Sequence, residues 1–507
     1  MGNSSSSDAV ENAEQTSALL QQHPYPSPIN VLMSPSESHL GDVDESGNED
    51  ALFTRENGPT LAAFFLFVFS SGTFMSVLTP FLPLELAKCG ANSALVGAIF
   101  AAYPLANFVA VPVSTRLCKT LGRSKAFITG SMIEAFFGIL FGYMHLFVPL
   151  SAQRWVYLGI RFTQGLGSSI AYTALMAWVT DRFRSRLPSV LGFQEAIGGV
   201  GYMMGPPIGG FLHGIAGMAL PLLVCSILVL VSLPSLFWSM VNMKEPVSDD
   251  DEAEVEETRS NHSVSDELTV ASLVNVSTVN SSFVTFVAAI GFGFISPVAA
   301  PHFRDVLSKD IGAGSIGLLL AIPAFLYAIF SPLSGIFAES YGCKQTMFFG
   351  MVLLLVTYLL FGPFPYLSQL FGLASYTKGM WTDQVLSLVL LGIGAAFAFV
   401  PSLPDMQKSV ESMGPEATNA IAGYFNGVYC LGEAAGPILA GLKQFMPFPY
   451  VCTVIAAVHA GYVLVACYWK MTTTMCQTAI RRASSKQSDL DNLESPLLYN
   501  ANEDTPS

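Results

Sequence analysis

The chain has 507 residues, of which 51% are hydrophobic and only 12% are charged, and its mean hydropathy is +0.50. A soluble globular protein carries about 25% charged residues, so this composition excludes a water-facing surface of the usual kind and favours lipid as the surrounding solvent. The formal net charge of −14 is local, because 25 of the 37 acidic residues lie within residues 8–56, 245–267 and 489–504. The acidity therefore describes tails and a loop rather than a binding site, and we expect no nucleic-acid partner.

Twelve apolar segments along the chain are long enough to cross a bilayer. A bilayer core of about 30 Å requires roughly 20 apolar residues in a helix. In chain order, these segments are residues 60–82, 94–117, 126–150, 155–179, 190–212, 218–241, 276–300, 314–338, 345–367, 385–404, 419–442 and 450–471. The sequence therefore predicts an all-α polytopic membrane protein with twelve transmembrane helices, and the lipid bilayer is its first partner.

Three polar, acidic segments surround and divide these spans. The segments are the tail 1–55, the linker 243–275 and the tail 472–507. Low hydrophobicity and high charge predict disorder in both tails and in residues 247–270 of the linker, because such segments cannot form a packed core. The linker separates six spans from six. We therefore expect two pseudo-symmetric six-helix bundles, residues 56–242 and 276–471.

The distribution of Lys and Arg predicts the orientation. With both termini in the cytosol, sixteen of these residues fall in cytosolic segments and only six on the opposite side. Cytosolic loops of membrane proteins carry the excess of positive charge. The two termini and the linker are therefore predicted to be cytosolic.

The fifth predicted span contains small residues at regular intervals. Four glycines at three- and four-residue spacing share one helical face: Gly198, Gly201, Gly205 and Gly209. A face without side chains lets another helix approach closely. Pro206 and Pro207 remove backbone donors and bend the helix. Gly436 and Pro437 repeat the pattern in the eleventh span, at the matching position of the second half, which supports an internal duplication.

Three motifs resemble those of the major facilitator superfamily, and the resemblance extends over residues 60–471. Residues 201–210 read Gly-x-x-x-Gly-Pro-Pro-x-Gly-Gly, which is similar to the antiporter signature of that superfamily. In the fourth span, Arg161, Gln164 and the glycine after it resemble its Arg-x-x-Gln-Gly motif. The resemblance implies a transporter that works by alternating access, without a cofactor.

The third motif lies in the loop between the eighth and ninth spans. There Gly335, Glu339, Gly342 and Lys344 match a loop signature of the superfamily, which implies a cytosolic latch.

The first-half counterpart of this loop departs from the signature. Thr115 stands where Gly is usual and Lys119 where an acid is usual, although Gly122 and Arg123 remain. The latch in the first half is therefore expected to be connected differently.

Within the superfamily, the chain resembles the vesicular amine transporter family, especially its polyamine-transporter-like branch. The resemblance rests on Pro80 and Pro83 after the first span and on the segment from Leu191 to Glu195. It implies proton-coupled antiport of a small organic cation, an amine or polyamine, into an acidic compartment. The partners so implied are a cationic small molecule and protons, and the expected state is a monomer.

Ionisable residues inside the predicted spans are candidates for coupling. A charge at mid-membrane costs roughly 2.5–3.5 kcal/mol on insertion scales, so such residues usually face a cavity or a partner. The clear cases are Glu134, Arg161, Glu195 and Glu433 in spans three, four, five and eleven. Burial favours a protonated carboxyl group and a nearby Arg favours the ionised one, so one acid can bind a proton and a cation in exclusive states.

Among these acids, Glu195 is the first candidate for the shared proton and substrate site, followed by Glu134 and Glu433. Arg161 is interpreted as an organiser that holds Gln164 and a carboxylate. The role of Glu433 rests on this argument alone, since no family motif covers it. The alternative for each acid is a structural hydrogen bond or ion pair inside the bundle.

Other functional classes were weighed against transport. A membrane-embedded hydrolase would need a metal pair such as H-E-x-x-H or a Ser/His couple, and the sequence contains neither, so we expect no enzyme, metal site or cofactor. A proton-coupled multidrug exporter shares the fifth-span signature and is the first alternative. A non-transporting receptor or scaffold of the same fold is the second, because fold does not fix activity.

Two weaker signals concern location. The start Met1-Gly2-Asn3-Ser4-Ser5-Ser6 fits the pattern for myristoylation of Gly2, although a Ser-rich start also matches it by chance. Near-miss acidic di-leucine stretches in both tails favour a vesicular or endolysosomal membrane, with the plasma membrane as the alternative.

Overall fold

The computed structural model describes residues 58–183, 187–242, 274–362 and 381–468, all within one compact unit. Helices are the only regular secondary structure in these ranges, so the predicted all-α class is confirmed. The predicted tails 1–55 and 472–507, Gly2, and the linker up to residue 273 lie outside the described residues. The division of the spans into halves 56–242 and 276–471 stays a prediction.

The helices are numbered here in chain order. They are α1 Gly58–Ser76, α2 Leu82–Lys88, α3 Ser93–Leu121, α4 Arg123–Tyr143, α5 Leu150–Arg182, α6 Leu187–Ala216, α7 Ala219–Asn242, α8 Val276–Val306, α9 Ala313–Tyr341, α10 Cys343–Phe361, α11 Trp381–Phe399, α12 Ser402–Val410, α13 Pro415–Ala440 and α14 Phe448–Tyr468.

Within the described ranges, nine helical stretches are long and apolar enough to cross a membrane. They comprise α1, α3, α4, α7, α8, α9, α10, α14, and α11 together with α12. The long helices outside this set are α5, α6 and α13, which contain Arg161, Glu195 and Glu433. Three of the four ionisable candidates are thus on helices with the weaker span signal, whereas Glu134 is on α4, which belongs to the nine. A polytopic helical membrane protein is confirmed, whereas the number twelve stays a prediction.

The end of the first span differs from the sequence prediction. A single span was expected over residues 60–82, but α1 ends at Ser76 and α2 begins at Leu82 after a turn. Pro83 lies in the first turn of α2, where a missing N–H is harmless, whereas the middle of a longer helix would lose a hydrogen bond there. The prolines therefore divide the segment.

The tenth span is divided in the same way. It was expected over residues 385–404, but α11 ends at Phe399 and α12 starts at Ser402. Pro401 is the residue immediately before α12. The helix is thus interrupted at residues 400–401 within the predicted span, although residues 381–413 together form one stretch long enough to cross a membrane.

The glycine face of α6 packs against α1. A Cβ atom added at Gly201, Gly205 or Gly209 would come within 3.0 Å of atoms in the segment 69–77, closer than real Cβ atoms come to other atoms. At Gly201 and Gly209 the nearest atom is a backbone carbonyl oxygen. These residues thus permit backbone-to-backbone contact between the two helices.

Close backbone contacts also join helices from the two parts of the sequence. They occur at one end of the bundle, where α6 and α13 end and α3 and α9 begin. This end is called the Glu85 end here, because Glu85 of α2 lies there. A Cβ at Gly97 would fall within 3.0 Å of the Pro437 carbonyl, and one at Gly210 within 3.0 Å of the Ala313 carbonyl. Away from the Glu85 end, a Cβ atom added at Gly335 of α9 or at Gly423 of α13 would have no other atom within 4 Å.

Candidate functional site

Glu134 of α4 lies in the bundle with 0% of its surface exposed. Its Oε1 atom accepts a hydrogen bond from the Tyr103 hydroxyl of α3 at 2.8 Å and one from the Ser71 hydroxyl of α1 at 3.2 Å. Ser168 of α5 in turn contacts the Ser71 hydroxyl at 3.2 Å. Hydroxyl groups from three helices therefore surround one buried carboxyl group.

Arg161 of α5 is 1% exposed and is held by acceptors from two helices. Its Nη1 donates to Oε1 of Gln164 at 2.8 Å. Its Nη2 donates to the backbone carbonyls of Phe74 and Met75 at 3.0 and 2.9 Å. Its Cζ lies 4.4 Å from the ring centroid of Tyr103, a cation–π contact. Among the described residues, no carboxylate forms an ion pair with this guanidinium.

Glu433 of α13 is 5% exposed. The neighbour of its carboxyl group is the Tyr202 hydroxyl of α6, which also neighbours the Ser296 hydroxyl of α8. The Glu433 backbone packs on α8, because a Cβ at Gly293 would come within 3.0 Å of the Glu433 carbonyl oxygen. The close approach of α8 and α13 thus sets the acid opposite a tyrosine of α6.

A single guanidinium group, that of Arg161, interacts with both buried acids. Arg161 interacts through its charge with both Glu134 and Glu433. The Oε2 atoms of both acids are buried, and no protein group within the described ranges hydrogen-bonds to them; Nε of Arg161 and Nε2 of Gln164 are in the same situation. Buried polar atoms nearly always bind a partner. These carboxyl groups can therefore take up a proton or a cationic group.

An aromatic wall stands beside Glu433. The Tyr202 and Phe292 rings lie 6.4 Å apart, Phe292 and Phe399 5.7 Å apart, and Phe399 and Tyr429 5.7 Å apart, measured between centroids. Tyr202 and Tyr429 both interact electrostatically with Glu433. Aromatic faces attract cations, and a carboxylate next to them adds charge attraction. This combination suits an organic cation.

A small cleft of about 50 Å³ adjoins this wall. Its lining comes from α1, the turn after it, α6, α8, α9 and α11, and Tyr202, Phe292 and Ser296 belong to it. No acidic or basic side chain is among its described lining residues, so its surface is mostly hydrocarbon.

The first sequence candidate, Glu195, lies in α6 one turn before Gly198, but its side chain is outside those that the structure describes. Its assignment stays a prediction. Pro206 and Pro207 lie within α6, and the Pro206 carbonyl approaches Gly317 of α9.

The glycines of the eleventh span face α8. A Cβ at Gly436 would come within 3.0 Å of the Ile290 carbonyl oxygen, and Pro437 packs on both Gly293 and Gly97. The Gly/Pro segments of α6 and α13 thus both lie at helix crossings.

Two glycines from the predicted cytosolic latch end matching helices. Gly122 follows α3 with φ of 82°, and Gly342 follows α9 with φ of 93°. Positive φ is readily adopted only by glycine, which explains the residue at both positions. The two loops are therefore built alike although their sequences differ.

The charged residues of the latch behave differently in the two loops. Arg123 forms an ion pair with Asp181 at the end of α5. Glu339 and Lys344 are exposed, and no ion pair of either is found within the described ranges; Gly335 has open space around it. A charged connection is thus formed in the loop that departs from the family signature.

Another charged group lies at the Glu85 end. Lys88 donates to both carboxylate oxygens of Glu85 at 2.9 Å, and Nε2 of His213 lies 3.7 Å from Oε1 of Glu85. Phe81 stacks on the His213 ring at 4.5 Å. The neighbouring His213, and then Lys88, lower the pKa of Glu85 to about 2. This carboxylate is therefore ionised over the whole physiological pH range.

Several site residues were missed by sequence reasoning. Ser71 and Ser168 were not singled out, although a pair of serines inside the apolar first span is a usable signal. Phe292 and Phe399 give no such signal, because the chain contains 37 phenylalanines. Tyr103 contacts both Arg161 and Glu134.

Comparisons with known proteins show the family of the chain. The family model of the Major Facilitator Superfamily matches residues 64–437. The MFS-type transporter SLC18B1 of Mus musculus is 26% identical over 422 residues, covering 80% of this chain and 86% of that protein. Multidrug resistance protein MdtG of Salmonella paratyphi C (strain RKS4594) is 25% identical over 403 residues, covering 77% and 90%.

The fold has solved counterparts. The crystal structure of the nucleoside transporter NupG superposes with a TM-score of 0.55 at 13% identity, covering 83% of this chain and 99% of that chain. The family model spans well over half of the sequence, and the resemblance indicated by the motifs is confirmed. The chain therefore belongs to the Major Facilitator Superfamily, a family of membrane transporters and not of enzymes, and is a multi-pass membrane protein.

Proposed function

We propose that the protein is a secondary active transporter that exchanges protons for a small organic cation, an amine. One observation carries the proposal: two buried acids, Glu134 and Glu433, lie around a single Arg161 without a direct ion pair to it. An acid that is not locked in an ion pair can change its charge state during a transport cycle. The similarity to the MFS-type transporter SLC18B1 supports secondary transport, and the aromatic wall beside Glu433 supports an amine as the substrate.

Charge balance explains the coupling. With both acids ionised, Glu134, Glu433 and Arg161 sum to one net negative charge. A proton or a monovalent cation at Glu433 neutralises it, and the two exclude each other there. Moving an uncompensated charge through a closed, low-dielectric state is costly, so the carrier reorients only when one of them is bound. Glu195, the first candidate from the sequence, is a further acid that this cycle can use.

The proposed architecture has twelve spans, cytosolic termini and two six-helix halves. Contacts between α3 and α13 and between α6 and α9 at the Glu85 end are then contacts between the halves. They would close the non-cytosolic face in this conformation, and the Gly/Pro segments of α6 and α13 would be the surfaces that separate when it opens. Gly122, Arg123, Gly335, Glu339, Gly342 and Lys344 would form the cytosolic latch.

The proposed setting is a vesicular or endolysosomal membrane, because antiport into an acidic lumen needs a proton gradient across it. The plasma membrane is the alternative. The protein is proposed to act as a monomer, and myristoylation of Gly2 would hold the N-terminal tail at the cytosolic leaflet.

A multidrug exporter is the second candidate. The apolar cleft and the similarity to MdtG, a multidrug resistance protein, favour it. It shares the proposed coupling and differs in accepting many unrelated cations. A receptor or scaffold without transport is less favoured, because buried unpaired acids are costly to retain without a use.

Uptake into proteoliposomes with an acidic interior tests the proposal. We expect radiolabelled amine to accumulate, and a protonophore to abolish the accumulation. Glu433→Gln should lower uptake about tenfold or more, because it removes the charge that attracts the cation and binds the proton. Uptake without a pH dependence, or no uptake of any organic cation by folded protein, would refute proton antiport.

A matched control uses an acid on the surface. Glu411→Gln removes the same charge from an exposed position just after α12. We expect its amine uptake to stay within about twofold of the unmodified protein, because exposed charges contribute little. Equal losses in both variants would mean that Glu433 has no special role.

A further inference from the structure

Helices α3 and α13 touch at the Glu85 end of the bundle and are apart at the opposite end, called the open end here. A Cβ atom added at Gly97 of α3 would come within 3.0 Å of the Pro437 carbonyl oxygen of α13. Near the middle of the two helices, one added at Gly427 would lie 3.6 Å from the Phe108 ring. Farther on, one added at Gly423 would have no other atom within 4 Å. The two helices therefore diverge toward the open end.

The facing surfaces of both helices are exposed at the open end. Pro112 and Thr115 of α3 are exposed there, and so are Gly423 and Ala420 of α13. The contact at the Glu85 end, by contrast, buries Gly97. In a transporter that works by alternating access, closing the open end is the counterpart of opening the Glu85 end. The surfaces of α3 and α13 that are exposed here would then meet.

The contacts that exist already define the register in which they would meet. The two helices run antiparallel, since Gly97 faces Pro437 and Phe108 faces Gly427. Eleven residues along α3 are thus matched by ten residues along α13 in the opposite direction. Eleven residues make about three turns of an α-helix, so positions at this spacing share one face.

One further step of eleven residues leads to a pair of opposite charges. It leads from Phe108 to Lys119 on α3 and from Gly427 to Glu416 on α13. We infer that Lys119 and Glu416 form an ion pair that holds the open end closed in the other conformation of the protein. The inference rests on the two halves and the alternating access of the proposed function, and adds the contact that stabilises the conformation opposite to this one.

Both residues lie at helix ends that suit their charge. Lys119 is in the last turn of α3, is exposed, and has no ion pair among the residues that the structure describes. Glu416 is the second residue of α13; its side chain is outside those that the structure describes. A cation is favoured at the C-terminal end of a helix and an acid at the N-terminal end. The backbone thus presents the two charges at matching positions of facing helices.

This pairing also accounts for the departure of the first-half loop from the family signature. The signature has an acid where Lys119 stands. An acid at that position would repel Glu416 when the open end closes, whereas Lys119 attracts it. The lysine is therefore suited to the residue that it would face.

Cross-linking tests the register. Purified full-length protein without other cysteines carries Lys119→Cys together with Glu416→Cys and is treated with a short bismaleimide. The control pairs Lys119→Cys with Gly423→Cys, because residue 423 is exposed on the same helix but lies seven residues, about 10 Å, farther along it. We expect the first pair to cross-link at least about fivefold faster. Equal or slower cross-linking of the first pair, or none, would overturn the inference.

Exchange of the charges tests the ion pair. The reporter is the rate at which a maleimide modifies Thr79→Cys near the Glu85 end, which opens when the open end closes. Lys119→Glu should slow this rate about fivefold, the order expected for an exposed ion pair that becomes a repulsion. The double variant Lys119→Glu/Glu416→Lys restores the attraction and should return the rate to within about twofold of that in the protein with both native charges.

Lys125→Glu is the control, because it makes the same change of charge at an exposed position of α4. It should leave the rate within about twofold. An equal slowing in Lys125→Glu, or no recovery in the folded double variant, would contradict a specific pair between Lys119 and Glu416.

These measurements need neither an amine nor a proton gradient, so they separate the inference from the proposed function. Cross-linking and charge rescue in a protein that takes up no amine would refute proton antiport and leave the inference standing. Uptake driven by pH without cross-linking or charge rescue would support antiport and overturn the inference.

Discussion

Arg161 is held in place by three acceptors that a planar guanidinium reaches together. They are the Gln164 side-chain oxygen and the carbonyls of Phe74 and Met75. A lysine keeps the charge but cannot reproduce this fork. Arg161→Lys should therefore lose at least one charge-assisted hydrogen bond, each worth about 1.5–3 kcal/mol. We expect a lower thermal midpoint and about tenfold slower amine uptake in proteoliposomes.

The control for this change is Arg116→Lys, at an exposed position of α3. It should leave both the thermal midpoint and uptake near those of the unmodified protein. Unchanged uptake in Arg161→Lys would mean that only the positive charge at this position matters, and that the hydrogen-bond geometry does not.

The same residues indicate how far sequence reasoning reaches at this scale. A charge inside an apolar span is visible in the sequence, so Glu134, Arg161 and Glu433 could be named as candidates. Their neighbours could not be named, because Tyr103 is 31 positions from Glu134 and Ser71 is 63 positions away. Contacts of this kind depend on which helices pack together, and span hydropathy does not determine that.

At the scale of helices, the crossings at the Glu85 end depend on glycine. A Cβ in Gly97→Ala or Gly210→Ala would overlap a backbone carbonyl of a facing helix, which cannot rotate away. We expect each substitution to destabilise the protein by about 1–3 kcal/mol, as overpacking does. It should also open the Glu85 end. The measurement is the rate at which a maleimide modifies Thr79→Cys, in a background without other cysteines, together with thermal unfolding.

Gly423→Ala on α13 is the matched control, since nothing lies within 4 Å of its added Cβ. Alanine in a helix is more stable than glycine by roughly 0.5–1 kcal/mol, so this variant should gain stability. If Gly97→Ala were as stable as Gly423→Ala and left Thr79→Cys equally protected, the close contact would have no energetic role.

Helix existence was predicted well and helix ends less well. The small-residue spacing of the fifth span correctly indicated a close-packing face, which lies against α1. The predicted span at 60–82 runs past the end of α1 at Ser76, and the helix is interrupted before Ser402 within the span at 385–404. Helices α8 and α9 contain prolines and extend beyond their predicted spans, so hydropathy does not determine where a helix ends.

At the scale of the whole molecule, the number of spans decides where the termini lie. The helices α5, α6 and α13 are long, but they are not apolar enough to count among the nine candidate spans of the described ranges. At 33, 30 and 26 residues they are each about 40–50 Å long, more than a bilayer core of about 30 Å. Arg161 and Glu433 on two of them are 1% and 5% exposed, so these charges avoid lipid. All three can therefore span the membrane.

Twelve spans return the chain to the side on which it started, whereas nine leave its ends on opposite sides. We expect epitope tags placed before residue 1 and after residue 507 both to be cytosolic, as the Lys and Arg distribution also requires. The measurement is protease digestion of the tags in sealed, oriented vesicles before and after permeabilisation. Identical protection of both tags supports an even number of spans. Opposite protection would mean that α5, α6 or α13 does not cross the bilayer, and the proposed transport path through them would have to be abandoned.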